Sequence, residues 1–182
     1  MSSAKDAELV EAANQGLVHN NQGELIDLST HQQFSTNDFK NASRIYRFGG
    51  KIPFTLADHI ALCLLLAKDA SVEQRGFLIL HEQYECVSGI DLPYPIKHTW
   101  PWYVENEERY LKIIYEKHGL DYSKYGEMVK GIDRKCAMLE ARHFFYDEHS
   151  PEVFMVQRTR PTYLINKYVE LFPKEVREHA AR

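Results

Sequence analysis

From residue 35 onward the apolar positions and their punctuation read as helices. Ser35, with Asp38 three positions later, forms a variant capping box that opens a helix to about Tyr46. The stretch Arg47-Phe48-Gly49-Gly50-Lys51-Ile52-Pro53 breaks it, because Gly-Gly and Pro are strong stops. Thr55 with Asp58 starts a second helix. Residues Ala57 to Ala67 are apolar on almost every face, which predicts a central helix. Ser71 with Gln74 starts a third, running through Phe77-Leu78-Ile79-Leu80 to about Cys86. Pro93 and Pro95 predict an extended segment. Pro101 suits the first position of a fourth helix, which Gly119 ends. Residues 123–145 predict a fifth, with Ile132, Cys136, Leu139 and Arg142 at helical spacing. Residues 146–160 read as loop around the short apolar piece Val153-Phe154-Met155. A last helix pair is expected at 161–181, split by Pro173.

The N-terminal part reads differently. Residues 4–14 favour a helix with a thin apolar face, which suits an arm packed on another subunit. Leu17-Val18 and Leu25-Ile26, around Asn20-Asn21-Gln22-Gly23, predict a small hairpin or an irregular loop. The sum is an all-α fold: an N-terminal helical arm and loop over 1–34, then one helical bundle over 35–182 with short connections.

Composition narrows the function classes. The chain has 182 residues and a net charge of −4, without the basic character of a general nucleic-acid binder. Apolar residues are 44% and charged residues 26%, so the signature of disorder is absent. No apolar run approaches the roughly 20 residues of a membrane span. The start, MSSAKDAELVEAA, lacks a signal-peptide apolar region, so the expected compartment is the cytoplasm. Cys63, Cys86 and Cys136 are odd in number and far apart, which implies small buried residues rather than a disulfide framework or a cysteine cage.

Three helical runs carry ionisable groups where the pattern wants apolar ones. His59 lies among Leu56, Ile60, Cys63 and Leu66; His81 and Glu82 follow Leu80; Asp133 lies between Ile132 and Cys136. Buried charges are costly unless paired or bound to metal. Taken singly, each is most simply a polar residue on a helix surface. Taken together, two imidazoles and two carboxylates suit a borderline divalent ion. Glu85 follows His81 by four residues and Glu140 follows Asp133 by seven, so each shares a face with its predecessor.

A family resemblance sharpens this picture. Arg44-Ile-Tyr-Arg47-Phe48-Gly-Gly, Leu56-Ala-Asp-His59, Leu80-His81-Glu82-x-x-Glu85, Asp91-Leu-Pro93-x-Pro95-Ile-Lys97, Tyr103, Glu107-Glu108, Val129-Lys130-x-x-Asp133 and Glu140-Ala-Arg142 occur in the order seen in HD-domain phosphohydrolases. The chain most resembles the phage and prophage branch, which is similar to bacterial 5′-deoxynucleotidases and includes phage dATP triphosphohydrolases. The resemblance implies a helical HD domain around one divalent ion, zinc, manganese, cobalt or iron, held by His59, His81, Glu82 and Asp133. It allows a second ion, magnesium or manganese, with the substrate phosphates. It implies catalytic roles for Glu85 and Asp91, and substrate contacts from Arg47 and Lys97, which match basic positions of the family. Because the net charge of −4 would repel phosphates, Lys51, Lys130 and Arg134 are candidate helpers, and Phe48 or a neighbouring aromatic is a candidate to stack on the base. The implied reaction is hydrolysis of a deoxynucleotide, expected to be a dNTP such as dATP, giving deoxynucleoside and tripolyphosphate. The alternatives are a 5′-deoxynucleotidase acting on dNMPs and a degenerate nucleotide-binding protein. The implied partners are the nucleotide and further copies of the chain, with no polymeric nucleic acid and no membrane. A phage-encoded chain would work in the host cytoplasm.

One position departs from the family pattern. The family's His-Asp pair is His81-Glu82 here, and glutamate reaches one methylene further. His81-Glu82-x-x-Glu85 also resembles a zinc-protease motif, but it lacks the second histidine. Glu140-x-x-His143 resembles half of a di-iron site, and no second copy exists.

Overall fold

The computed structural model describes residues 17–19, 25–30 and 41–158. The expected arm helix at 4–14, the Ser35 cap and the helix pair at 161–181 lie outside these residues. The described part is mostly helical, with a two-stranded antiparallel ribbon as its sheet.

Strands β1 (Leu17–His19) and β2 (Leu25–Asp27) pair with Val18 opposite Ile26, the hairpin option of the sequence reading. The Asp27 carboxylate accepts from the backbone N–H and hydroxyl of Ser29, which turns the chain after β2. The helical residues 41–42 come next, and the helix expected to run to Tyr46 stops there. Tyr46 instead bridges Thr55 in antiparallel fashion. Backbone bonds from Arg47 N to Phe54 O and from Leu56 N to Ile45 O close the connection at its base.

Within that connection α1 (Arg47–Gly50) is a single turn, with Phe48 at φ 56° and Gly49 at φ 65°. A left-handed phenylalanine is uncommon and costs about 1–2 kcal/mol, so its surroundings must hold it. Phe48 N–H donates to Asp91 Oδ2 at 2.7 Å, and the Phe48 ring meets Phe145 edge-on at 5.3 Å.

Helix α2 (Leu56–Leu66) opens with the predicted capping box. Thr55 Oγ1 accepts from Asp58 N–H, and the Asp58 carboxylate accepts from the Thr55 N–H. Seven of its residues are buried, as its all-round apolarity requires, and it packs against three other helices.

The third predicted helix is two helices. Helix α3 (Val72–Leu80), capped by Ser71 and Gln74, ends at His81; α4 (Gln83–Ser88) begins after Glu82. Glu82 sits at φ −99°, ψ 17°, outside helical geometry. Gly89 at φ +75° closes α4 with a bond from its N–H to Glu85 O.

Residues 93–97 correct the extended reading. Helix α5 (Tyr94–Lys97) is one turn with Pro95 at its second position, where the missing N–H has no helical partner to lose. Helix α6 (Pro101–Lys117) starts at its proline as expected and is followed by Gly119 at φ +71°. Its Arg109 donates to Leu28 O at 2.8 Å, tying the ribbon to the bundle. Helix α7 (Tyr122–Phe145) is the expected fifth helix. The loop reading of 146–160 is also corrected: Ser150 caps α8 (Pro151–Gln157), whose Val153 and Val156 are buried. At seven residues the apolar piece was too short to show helical period.

The core joins α2 and α3 with buried side chains of α6, α7 and α8. Helix α2 contacts α3, α7 and α8, which brings its His59 beside the end of α3 and the middle of α7. Among the described residues no helix is long and apolar enough to cross a membrane.

Candidate metal centre

His59 is fully buried on α2 and His81 nearly so at the end of α3. Each imidazole is oriented through its Nδ1. His59 Nδ1 is 2.5 Å from Glu140 Oε1, and His81 Nδ1 is 2.6 Å from Leu78 O. A backbone carbonyl only accepts, and a carboxylate accepts when ionised, so these partners assign the Nδ1–H tautomer to both rings. Both Nε2 atoms then face inward, 3.3 Å apart and within hydrogen-bond reach of each other.

Two carboxylates complete the group. Glu82 Oε1 is 3.3 Å from His59 Nε2 and 3.6 Å from His81 Nε2, and Asp133 Oδ1 is 3.1 Å from His59 Nε2. One donor atom from each of the four residues lies within 4.8 Å of the others. Bonds of about 2.0–2.1 Å put neighbouring nitrogen or oxygen donors about 2.9 Å apart around an octahedral ion and about 3.3 Å apart around a tetrahedral one. The donor set therefore fits a divalent ion in both spacing and chemistry. Asp133, with its side chain 39% exposed, marks the open side.

The donors converge at the break between α3 and α4, where the chain leaves helical geometry at Glu82. The non-helical backbone at Glu82 turns its carboxylate onto the two imidazoles. Its longer side chain reaches them from there.

A second layer holds the first. The Arg47 guanidinium bonds Glu140 Oε2 at 3.2 Å, Glu82 Oε1 at 3.4 Å and Asp91 Oδ1 at 2.8 Å. In a separate group, Lys97 Nζ bonds Glu85 Oε1 at 2.7 Å and Glu107 Oε1 at 2.5 Å, and the Glu85 charge acts on Glu82. Glu85 Oε2 is buried and has no hydrogen-bond partner among the described residues.

The groups divide into those whose partners hold a charge against burial and those that burial keeps neutral. Burial and the Arg47 charge oppose ionisation of His59, but Glu140 and Asp133 outweigh them and raise it well above the ordinary imidazole range. Burial, then the His59 charge, lowers His81 to about 4. Burial, then Glu85, raises Glu82 to about 8. Burial opposes ionisation of Asp133 and Glu140 as well, yet the facing cations hold both below the usual carboxylate range. Glu85 is likewise lowered against its burial, by Lys97. Burial, then Glu85, pushes Glu107 up to about 9.

The structure thus gathers His59, His81, Glu82 and Asp133 at one point. It joins Glu85 to Lys97, and Asp91 to Arg47 and the Phe48 backbone. Arg47 is turned inward onto three carboxylates rather than outward to solvent. Lys51, Lys130 and Arg134 are exposed. Two neighbours of His59 carried weaker sequence signals. Glu140 shares a face of α7 with Asp133, and Cys63 lies four residues after His59, its Sγ 3.5 Å from His59 Nε2. Burial, then Cys136, raises the Cys63 thiol well above its ordinary range.

Comparison of the chain with protein-family models, with curated proteins and with solved structures finds no match.

Proposed function

We propose that the chain is a metal-dependent nucleotide phosphohydrolase of the HD type, acting on a dNTP such as dATP to give the deoxynucleoside and tripolyphosphate. One observation carries the metal part: two buried imidazoles, each bonded through Nδ1, bring their Nε2 atoms within 3.3 Å of each other between two carboxylates, a spacing at which a proton or a metal ion can be shared. Metal-ligating imidazoles are characteristically held by such a bond at the other ring nitrogen. The nucleotide part rests on the resemblance of the ordered motifs from Arg44 to Arg142.

His59, His81, Glu82 and Asp133 would hold a divalent ion, which would supply Lewis acidity by lowering the pKa of an attacking water and drawing charge from a phosphoryl oxygen. The chain's own groups do the rest. Glu140 and Leu78 O fix the tautomers of the two imidazoles. Lys97 keeps Glu85 ionised, and the unpartnered Glu85 Oε2 takes the proton of the water. The water oxygen bonds the α-phosphorus, the bond from that phosphorus to the 5′ oxygen breaks, and Glu85 returns the proton to that oxygen. Arg47 and Asp91 act as positioning residues, since they bond Glu82, Glu140 and the Phe48 backbone. Phe48 offers a half-buried ring to the base. Lys130 and Arg134 flank Asp133 on α7, exposed, where phosphates would meet them.

The test is a panel of nucleoside mono- and triphosphates with manganese, cobalt, zinc or magnesium, with products separated by chromatography. Tripolyphosphate released from dATP, and lost in His59→Ala and His81→Ala variants that keep their circular dichroism, is the expected result. Release of inorganic phosphate from dNMPs instead would make the chain a 5′-deoxynucleotidase. Binding of nucleotide without turnover would make it a degenerate member. Full activity in both alanine variants sinks the proposal.

A further inference from the structure

The donor set has a sulfur neighbour that the proposed reaction does not use. Cys63 follows His59 by one turn of α2, so both project from one face. Its Sγ lies 3.5 Å from His59 Nε2, and His59, Cys63 and His81 offer one ligand atom each within 4.8 Å of one another. Tetrahedral bonds of about 2.0–2.1 Å to nitrogen and 2.3 Å to sulfur separate two such atoms by about 3.5–3.6 Å. The observed spacing is that of a shared ion, and the 3.3 Å between the two Nε2 atoms fits the same polyhedron. Cys136, one turn after Asp133 on α7, accepts from the Cys63 S–H at 3.3 Å; a thiol is both donor and acceptor, so the same contact can reverse toward a thiolate.

We propose that the centre has two binding modes sharing His59 and His81: manganese takes Glu82 and Asp133, whereas zinc and cadmium take Cys63 as a thiolate. This rests on the reading of the cluster as a cation site. Soft thiolate selects zinc and its heavier relative, and carboxylate suits manganese. In the sulfur mode the Cys63 S–H bond is exchanged for a sulfur–metal bond, and the proton leaves to solvent. The choice of ion then decides whether Glu82 and Asp133 are ligands or free carboxylates beside the imidazoles.

Cadmium and manganese are each titrated into the full chain. Ultraviolet absorbance follows cadmium–thiolate charge transfer, and calorimetry follows affinity. The expected band saturates at one cadmium per chain, disappears in Cys63→Ser and persists in Cys136→Ser. Cadmium affinity falls about tenfold or more in Cys63→Ser, while manganese affinity stays within about twofold. X-ray absorption of the zinc-loaded, unsubstituted protein gives a reading that does not depend on how the variant folds, and should contain one sulfur at about 2.3 Å. Stoichiometric zinc or cadmium without a sulfur neighbour, or a band that survives Cys63→Ser, overturns the proposal and leaves the cation site standing. Failure to bind any of the three ions overturns both.

Discussion

At the scale of single residues, the most consequential contact is between Glu140 and His59. The carboxylate accepts the Nδ1 proton with one oxygen and the Arg47 guanidinium with the other, so it aims the imidazole and is itself aimed. Such second partners of a ligating histidine are worth about 10–100-fold in metal affinity. Glu140→Gln is therefore expected to weaken manganese and zinc binding by about that factor in titration calorimetry, with helicity unchanged by circular dichroism. Unaltered affinity would remove Glu140 from the site. The ligand candidates were legible because each interrupts an apolar helical run: His59 among leucines, His81 and Glu82 after Leu80, Asp133 before Cys136. Glu140 gave a weaker signal, a shared face with Asp133 and no more. Arg47 entered as a substrate contact through the resemblance, and the sequence did not record its three carboxylate partners. A guanidinium next to a Gly-Gly turn looks outward in sequence, and only the packing of α1 against Asp91, Glu82 and Glu140 turns it inward.

At the scale of elements, caps were read well and interruptions poorly. The Thr55 and Ser71 boxes appear where expected, since a side-chain oxygen and a backbone N–H three residues apart are local facts. The break at His81-Glu82 is not local. It goes with contacts of both side chains with His59 of α2 and of Glu82 with Arg47, which no apolar period in this segment records. Helix α8 escaped for another reason, its shortness. The Thr55 box bears directly on the site, because α2 carries His59. Thr55→Ala removes the acceptor for the Asp58 N–H and one donor to the Asp58 carboxylate. It is expected to lower stability by about 1 kcal/mol, read as a shift of the urea midpoint at constant slope. A shift near zero would mean that tertiary packing alone holds the start of α2.

At the scale of the whole molecule, the ligand candidates belong to α2, the turn after α3, and α7, which pack around the common core. A ligand that binds only the folded chain stabilises it by about 2.7 kcal/mol at a hundred times its dissociation constant. Saturating manganese or zinc is therefore expected to raise the thermal midpoint by several degrees, with a chelator reversing the rise and His59→Ala abolishing it. An equal rise in wild type and variant would place the ion elsewhere. The bundle itself was legible from apolar period and punctuation, because burial of α2 on all sides is written in its composition. The break between α3 and α4 adds something that the helices alone lack. His59, His81 and Asp133 are distant in sequence, so one ion gripping all three would tie off two long stretches of polypeptide at a single knot. Such a knot would be undone by changing the bath rather than the covalent chain, and the share of molecules kept native would then be set by free cation.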